Sequence, residues 1–96
     1  MSEFLEQAVA ELNTKMAGAD FDGIAKFAIA DEGAIMLDGD GARVGDEEAD
    51  VTLSADSETF QSIFEGEMNP TSAFMTGKLS VDGDMGMAMK LASVLG

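Results

Sequence analysis

Apolar residues recur every three or four positions at the start of the chain. Leu5, Ala8, Val9, Leu12 and Met16 fall on one stripe, while Glu6, Asn13 and Lys15 lie elsewhere. That spacing predicts an amphipathic first helix over residues 2–16 with one dry face. The period then drops to two. Phe27 and Ile29 share a pleat face within a strand predicted over residues 23–30, and Ile35 and Leu37 repeat the alternation over 34–38. The stretches Asp31-Glu32-Gly33 and Asp38-Gly39-Asp40-Gly41 have the residue types of tight turns, so an antiparallel meander is expected. A short third strand near 42–44 and a fourth over 50–54, with Val51 and Leu53 facing alike, extend the sheet.

After Ser54 the period returns to that of a helix. Asp56 can cap a helix that carries Phe60, Ile63 and Phe64 on one face, with Gly66 placed to end it. Asn69 and Pro70 then start a short helical turn, because proline at the first helical position gives up an N–H that has no partner there anyway. Gly77 stops that turn, Leu79 and Val81 alternate in a fifth strand, and Asp82-Gly83 turn the chain. Asp84 caps a last helix that reaches Leu95.

The last helix has too much apolar surface for one contact. Met85, Met87, Ala88, Met89, Leu91, Ala92, Val94 and Leu95 cover more than half its circumference and leave only Gly86, Lys90 and Ser93 on a wet strip. One side can pack on the sheet. The other needs a neighbouring helix, a partner, or an apolar molecule held between helix and sheet.

Composition narrows the chemistry. Ninety-six residues, 46% of them hydrophobic, suit one domain over 1–96, and no apolar run approaches the length of a membrane span. The chain reads as a soluble, unprocessed protein. It contains no His, Cys, Trp or Tyr, which excludes Ser-His-Asp and Cys-His catalysis, disulfides and the usual zinc ligands. Nineteen acids against five bases give a formal charge of −14, so phosphate backbones and anionic headgroups are repelled and no nucleic-acid partner is expected.

The remaining motifs dissolve on inspection. Asp38 and Asp40 begin a calcium-loop spacing, but Ala42, Arg43 and Ala49 occupy positions where that loop requires an oxygen ligand, a glycine and a glutamate. Thioether binding of copper would need Met85, Met87 and Met89 to converge, and helical geometry turns Met87 away from the other two. Acid pairs such as Glu47 and Glu48, or Asp82 and Asp84, lie in polar turns that would not raise a carboxyl pKa for acid–base work. No catalytic residue, cofactor or metal is therefore expected. Eight methionines suit adaptable apolar filling, and this reading leaves a solid core and a ligand cavity equally open.

Residues 66–91, GEMNPTSAFMTGKLSVDGDMGMAMKL, resemble the signature half of the sterol carrier protein-2 family. The likeness joins Gly66, Asn69-Pro70, Ser72-Ala73-Phe74, Gly77-Lys78-Leu79, Gly83 and the Met-Ala-Met-Lys-Leu helix at family spacing. The earlier half matches more loosely through the first helix, the strand of Phe27 and Ile29, and the strand Ala49-Asp50-Val51-Thr52. The resemblance implies an α+β fold with a single five-stranded, mostly antiparallel sheet, helices over one face and an apolar tunnel between the layers. It implies non-catalytic binding, and intracellular transfer, of fatty acids, fatty acyl-CoA or sterol-like lipids.

Carried onto this chain, the resemblance places the lipid-binding lining at Phe60, Phe64, Phe74, Met75, Leu79, Val81, Met85, Met87, Met89, Leu91 and Leu95. It implies a stand-alone prokaryotic member. With no terminal Ser-Lys-Leu-type address, residence is expected in the cytoplasm. Transient membrane contact is expected to avoid anionic surfaces, given the acidic charge. The alternative is an interaction module whose apolar last helix buries itself in a homodimer or a partner enzyme.

Overall fold

The computed structural model describes residues 3–17 and 23–95, the last two by backbone alone. Helix α1 spans Glu3–Met16 and buries Leu5, Ala8, Leu12 and Met16, four residues of the predicted stripe. Strands β1 (Ala25–Ile29), β2 (Gly33–Asp38) and β3 (Gly41–Val44) form the expected meander, each one to a few residues from its predicted bounds. Strand β4 (Val51–Ala55) leads into helix α2 (Ser57–Phe64), then α3 (Pro70–Met75), β5 (Ser80–Gly83) and α4 (Met85–Leu95).

The sheet order is β3-β2-β1-β4-β5. Three pairings are antiparallel, and β4 returns beside β1 in parallel, so the sheet is mixed but mostly antiparallel. Its register aligns one residue from each strand: Val44, Ile35, Phe27, Leu53 and Val81 are successive cross-strand partners on the helix-covered side. The alternate positions Lys26, Ala28, Thr52 and Ser54 point to the other face and stay partly exposed. Met36 is the exception on that face. It is buried beneath the segment after β3, where its sulfur accepts the Glu47 N–H at 3.4 Å.

The caps follow the sequence closely. Asp56 accepts the Thr59 N–H at 2.7 Å to open α2, and Asn69 accepts those of Thr71 and Ser72 at 2.8 and 3.4 Å to open α3. Gly66 ends α2 with φ +80°, which lets the Glu67 N–H turn back onto the Ser62 carbonyl at 2.9 Å. Asn13 closes the exposed edge of β3 in place of another strand. Its amide donates to the Ala42 carbonyl at 3.3 Å, and its carbonyl accepts the Ala42 N–H at 2.9 Å.

Gly83 joins β5 to α4 at φ +110°, and a Cβ there would collide with the Asp50 carbonyl oxygen. That oxygen accepts the Asp84 N–H at 3.0 Å, while the Asp50 side chain accepts the Ile24 N–H at 2.9 Å. A single acidic residue thus fixes both the entrance to β1 and the root of α4. Only glycine permits the close approach.

Candidate functional site: an apolar cavity between sheet and helices

The three aromatic rings at the centre of the fold set one wall of the site. Phe27 meets Phe60 edge-on at 5.7 Å and Phe64 at 6.4 Å, and Phe60 stacks on Phe64 at 5.8 Å. Phe60 and Phe64 are one helical turn apart and therefore share a face of α2. On the side of Phe60 away from α1, the layers separate. A cavity of about 570 Å³ opens there, floored by Phe27, Leu53 and Val81 of the sheet and roofed by α2, α3 and α4. That volume lies within the ~300–1,000 Å³ of small-molecule pockets.

Of the expected lining residues, the structure places Phe60, Phe74, Met75, Leu79, Val81, Met85 and Met89 around this cavity. Three expected residues sit elsewhere. Phe64 lies a turn beyond Phe60 and faces a separate groove between α1 and α2, shared with Phe4, Gln7 and Gln61. Leu91 is fully buried in the solid core on the inward face of α4. Met87 is turned away from Met85 and Met89 by the helical step, and its terminal methyl occupies the place a Cβ at Gly23 would take. Leu95 lies outside the described side chains.

The structure adds Phe27, Leu53 and Ile63, the capping turn Asn69-Pro70-Thr71, and Ala88, Ala92 and Ser93 of α4. On α4 these small residues alternate with methionine: Met85, Ala88, Met89, Ala92 and Ser93 fall within roughly 140° of arc at ~100° per residue. This arc is the second apolar side of the helix. It faces the cavity across from α3, and Ser93, expected on the wet strip, lines the same cavity.

The mouth is more apolar than ordinary surface. Six large hydrophobic residues are exposed among those described, and four of them, Phe74, Met75, Met85 and Met89, surround this opening. The only polar side chains in the lining are Asn69, Thr71 and Ser93, so no described ionisable group faces the cavity.

The perturbed carboxylates lie at turns and caps. Asp31 is held below the usual carboxylate range by the Ser57 hydroxyl and backbone N–H, at 2.7 and 3.0 Å. Asp56 is lowered by hydrogen bonding to Thr59, and Asp38 chiefly by its hydrogen bond to Arg43 at 2.8 Å. Each shift comes from holding a turn or a cap rather than from an apolar pocket. Among the described residues, no three carboxylates gather at metal-binding distance, and no helix is long and apolar enough to cross a membrane.

This arrangement defines a small α+β domain with an apolar cavity between its sheet and its helices. Residues 2–96 match the SCP-2 sterol transfer family, and the chain belongs to that family. Among curated relatives, "Hydroxysteroid dehydrogenase-like protein 2" of Xenopus tropicalis is 40% identical over 98 residues, covering 94% of this chain and 24% of that protein. The protein of the same name from Danio rerio is 43% identical over 81 residues, covering 76% of this chain and 20% of the relative. The chain thus spans a fifth to a quarter of the length of these relatives.

Solved structures agree on the fold. The sterol carrier protein domain 2 of Helicoverpa armigera superposes with a TM-score of 0.79 at 27% identity, covering 96% of this chain and 85% of that one. Sterol carrier protein-2 of Aedes aegypti, solved in complex with the C16 fatty acid palmitate, gives a TM-score of 0.81 at 20% identity, covering all of this chain and 97% of its own.

Proposed function

We propose that this domain binds and transfers a single lipid, holding its hydrocarbon chain in the cavity between the sheet and helices α2, α3 and α4. The observation that carries the reading is an apolar volume of about 570 Å³ with no ionisable side chain in its described lining and a mouth of exposed Phe and Met. Palmitate bound to the Aedes aegypti protein supports the same use of this fold. Withdrawing a 16-carbon chain from water at ~0.8 kcal/mol per methylene yields on the order of 10 kcal/mol before immobilisation costs, so binding needs no ionic anchor.

The ligand headgroup stays at the rim, near the amide of Asn69 and the hydroxyls of Thr71 and Ser93. No lysine or arginine is among the lining residues, and the domain carries a net charge of −14. An uncharged headgroup is therefore favoured over a polyanionic coenzyme A thioester. The domain itself performs no covalent step.

The test extracts freshly purified protein with organic solvent for mass spectrometry. A displacement titration of a fluorescent fatty acid by hexadecanol, palmitate and palmitoyl-CoA follows, at low and high salt. Co-purified lipid and saturable displacement are expected, with hexadecanol strongest and palmitoyl-CoA gaining most from salt. A lipid-free extract with no displacement by any of the three overturns the reading. In that case a concentration-dependent dimer would favour an interaction module that covers Met75 and Met89, residues 79% and 70% exposed.

A further inference from the structure

The methionines divide sharply by position. Among the described residues, Met16 and Met36 are buried and Met68 and Met87 half-buried, whereas Met75, Met85 and Met89 are 79%, 47% and 70% exposed. All three exposed methionines stand at the mouth of the apolar cavity, on α3 and α4. A dissolved oxidant therefore meets the mouth thioethers first. The same sulfur atoms give the opening its apolar character, and oxidation makes such a side chain polar.

We propose that Met75, Met85 and Met89 form an oxidation-sensitive gate, at which peroxides convert mouth thioethers to sulfoxides and so release the apolar ligand. The inference rests on the lipid-binding reading of the cavity. In each step the thioether sulfur attacks one peroxide oxygen. The S–O bond forms as the O–O bond breaks, sulfur loses two electrons, and hydrogen peroxide is reduced to water. The sulfoxide oxygen is a strong acceptor, and the only described side-chain donors in the lining are Asn69, Thr71 and Ser93.

A sulfoxide turned inward brings a poorly satisfied dipole against hydrocarbon. One turned outward removes its side chain from the ligand and hydrates the opening. Both weaken retention. Met85 is the most withdrawn of the three. The change is reversible, because methionine sulfoxide reductases restore the thioether, one enzyme for each epimer.

The experiment titrates delipidated protein with hydrogen peroxide, maps sulfoxides by peptide mass spectrometry and measures fluorescent fatty-acid affinity at each stage. Sulfoxides are expected at residues 75, 85 and 89 before 16 and 36, with affinity weakened on the order of tenfold once all three are modified. Joint treatment with both reductases should restore it. In M75L/M85L/M89L the ratio of affinities before and after peroxide should stay near one, whatever the variant's starting affinity. If that variant does not fold, reductase reversal in the natural sequence decides the matter.

Unchanged affinity after full oxidation of the three residues overturns the gate, as does a peroxide-induced loss that persists in the triple variant. Untreated protein that takes no fatty acid overturns the carrier reading beneath it, a result distinguishable from either of these.

Discussion

Replacing Ala92 with phenylalanine separates an open cavity from a filled core. Ala92 is half-buried on α4, with its methyl on the cavity wall. If about 570 Å³ lies open there, the new ring enters without displacing protein atoms. Burying a phenylalanine contributes about 1.5–3 kcal/mol, less up to ~0.5 kcal/mol for its poorer helix propensity. The delipidated variant should therefore gain about 1–3 kcal/mol, raising Tm by ~4–8 °C per kcal/mol for a domain of this size. A solid interior would give the opposite sign, since overpacking costs about 1–3 kcal/mol.

The same ring should impair the ligand. It would displace on the order of four methylenes of an acyl chain at ~0.8 kcal/mol each, weakening Kd by about two hundredfold. The chain has no Trp or Tyr, so urea unfolding is followed by far-UV circular dichroism and binding by a fluorescent fatty-acid probe. Stabilisation with weakened binding is expected. Destabilisation by 1 kcal/mol or more with unaltered binding would mean that the space beside Ala92 is already filled.

Gly83→Ala should cost about 2–3 kcal/mol by urea unfolding, because it combines a positive φ with a collision at the Asp50 carbonyl; a loss below 0.5 kcal/mol would show that the α4 junction relaxes freely. Asn69→Ala removes the α3 cap and should cost about 1 kcal/mol by the same measurement. Asp31 has a folded pKa below its ordinary 3.8, so the unfolded chain binds the proton more readily, and the stabilisation it contributes is present above 3.8 and fades as pH falls through the folded value. Hence the gap in unfolding midpoint between the natural sequence and Asp31→Asn should be full at pH 7 and close below pH 3.8; a gap that widens in acid would contradict the assigned hydrogen bonds. At ~0.01 M salt the Debye length is ~30 Å, as long as the 31 × 30 × 24 Å domain, so its net negative charge acts on itself throughout. Raising salt to ~0.15 M shortens the length to ~8 Å and should raise Tm at pH 7; a fall in Tm would deny that self-repulsion matters.

The elements were legible because their signals are local. The stripe of Leu5, Ala8, Leu12 and Met16, the alternation of Phe27 and Ile29, the caps Asp56 and Asn69 and the stop Gly66 each act within a few residues. The cavity was legible only where local signals converge on it. Phe60, Phe74 and the Met85–Met89 pair could be read from helical faces and from family spacing, yet Phe27 and Leu53 could not. Their place in the floor depends on β4 returning parallel to β1, a pairing between residues 26 apart that alternation cannot reveal. Phe64 and Leu91 lie outside this cavity's lining for the converse reason. Helical faces show which side is apolar, but not whether the space opposite is occupied. Ala88 and Ala92 did leave a signal, since small residues set between methionines on one arc of α4 leave room instead of filling it.

The register row across the sheet explains why the opening lies where it does. Ile35, Phe27, Leu53 and Val81 are successive partners, but their covers differ. The β2–β3 end lies beneath α1, a 14-residue helix that reaches across it with Leu5, Leu12 and Met16, and Ile35 there is completely buried. The β4–β5 end is covered by α3, only six residues long, and by α4, whose facing arc carries alanine and flexible methionine. The sheet is thus roofed by the long side chains of Leu5, Leu12 and Met16 at one end and by alanine and flexible methionine at the other. The void belongs to the second end because the helices there lack the side-chain volume to fill it. Supplying part of that volume from either layer, at Ala92 above or Val81 below, should shorten the hydrocarbon chain the cavity can hold.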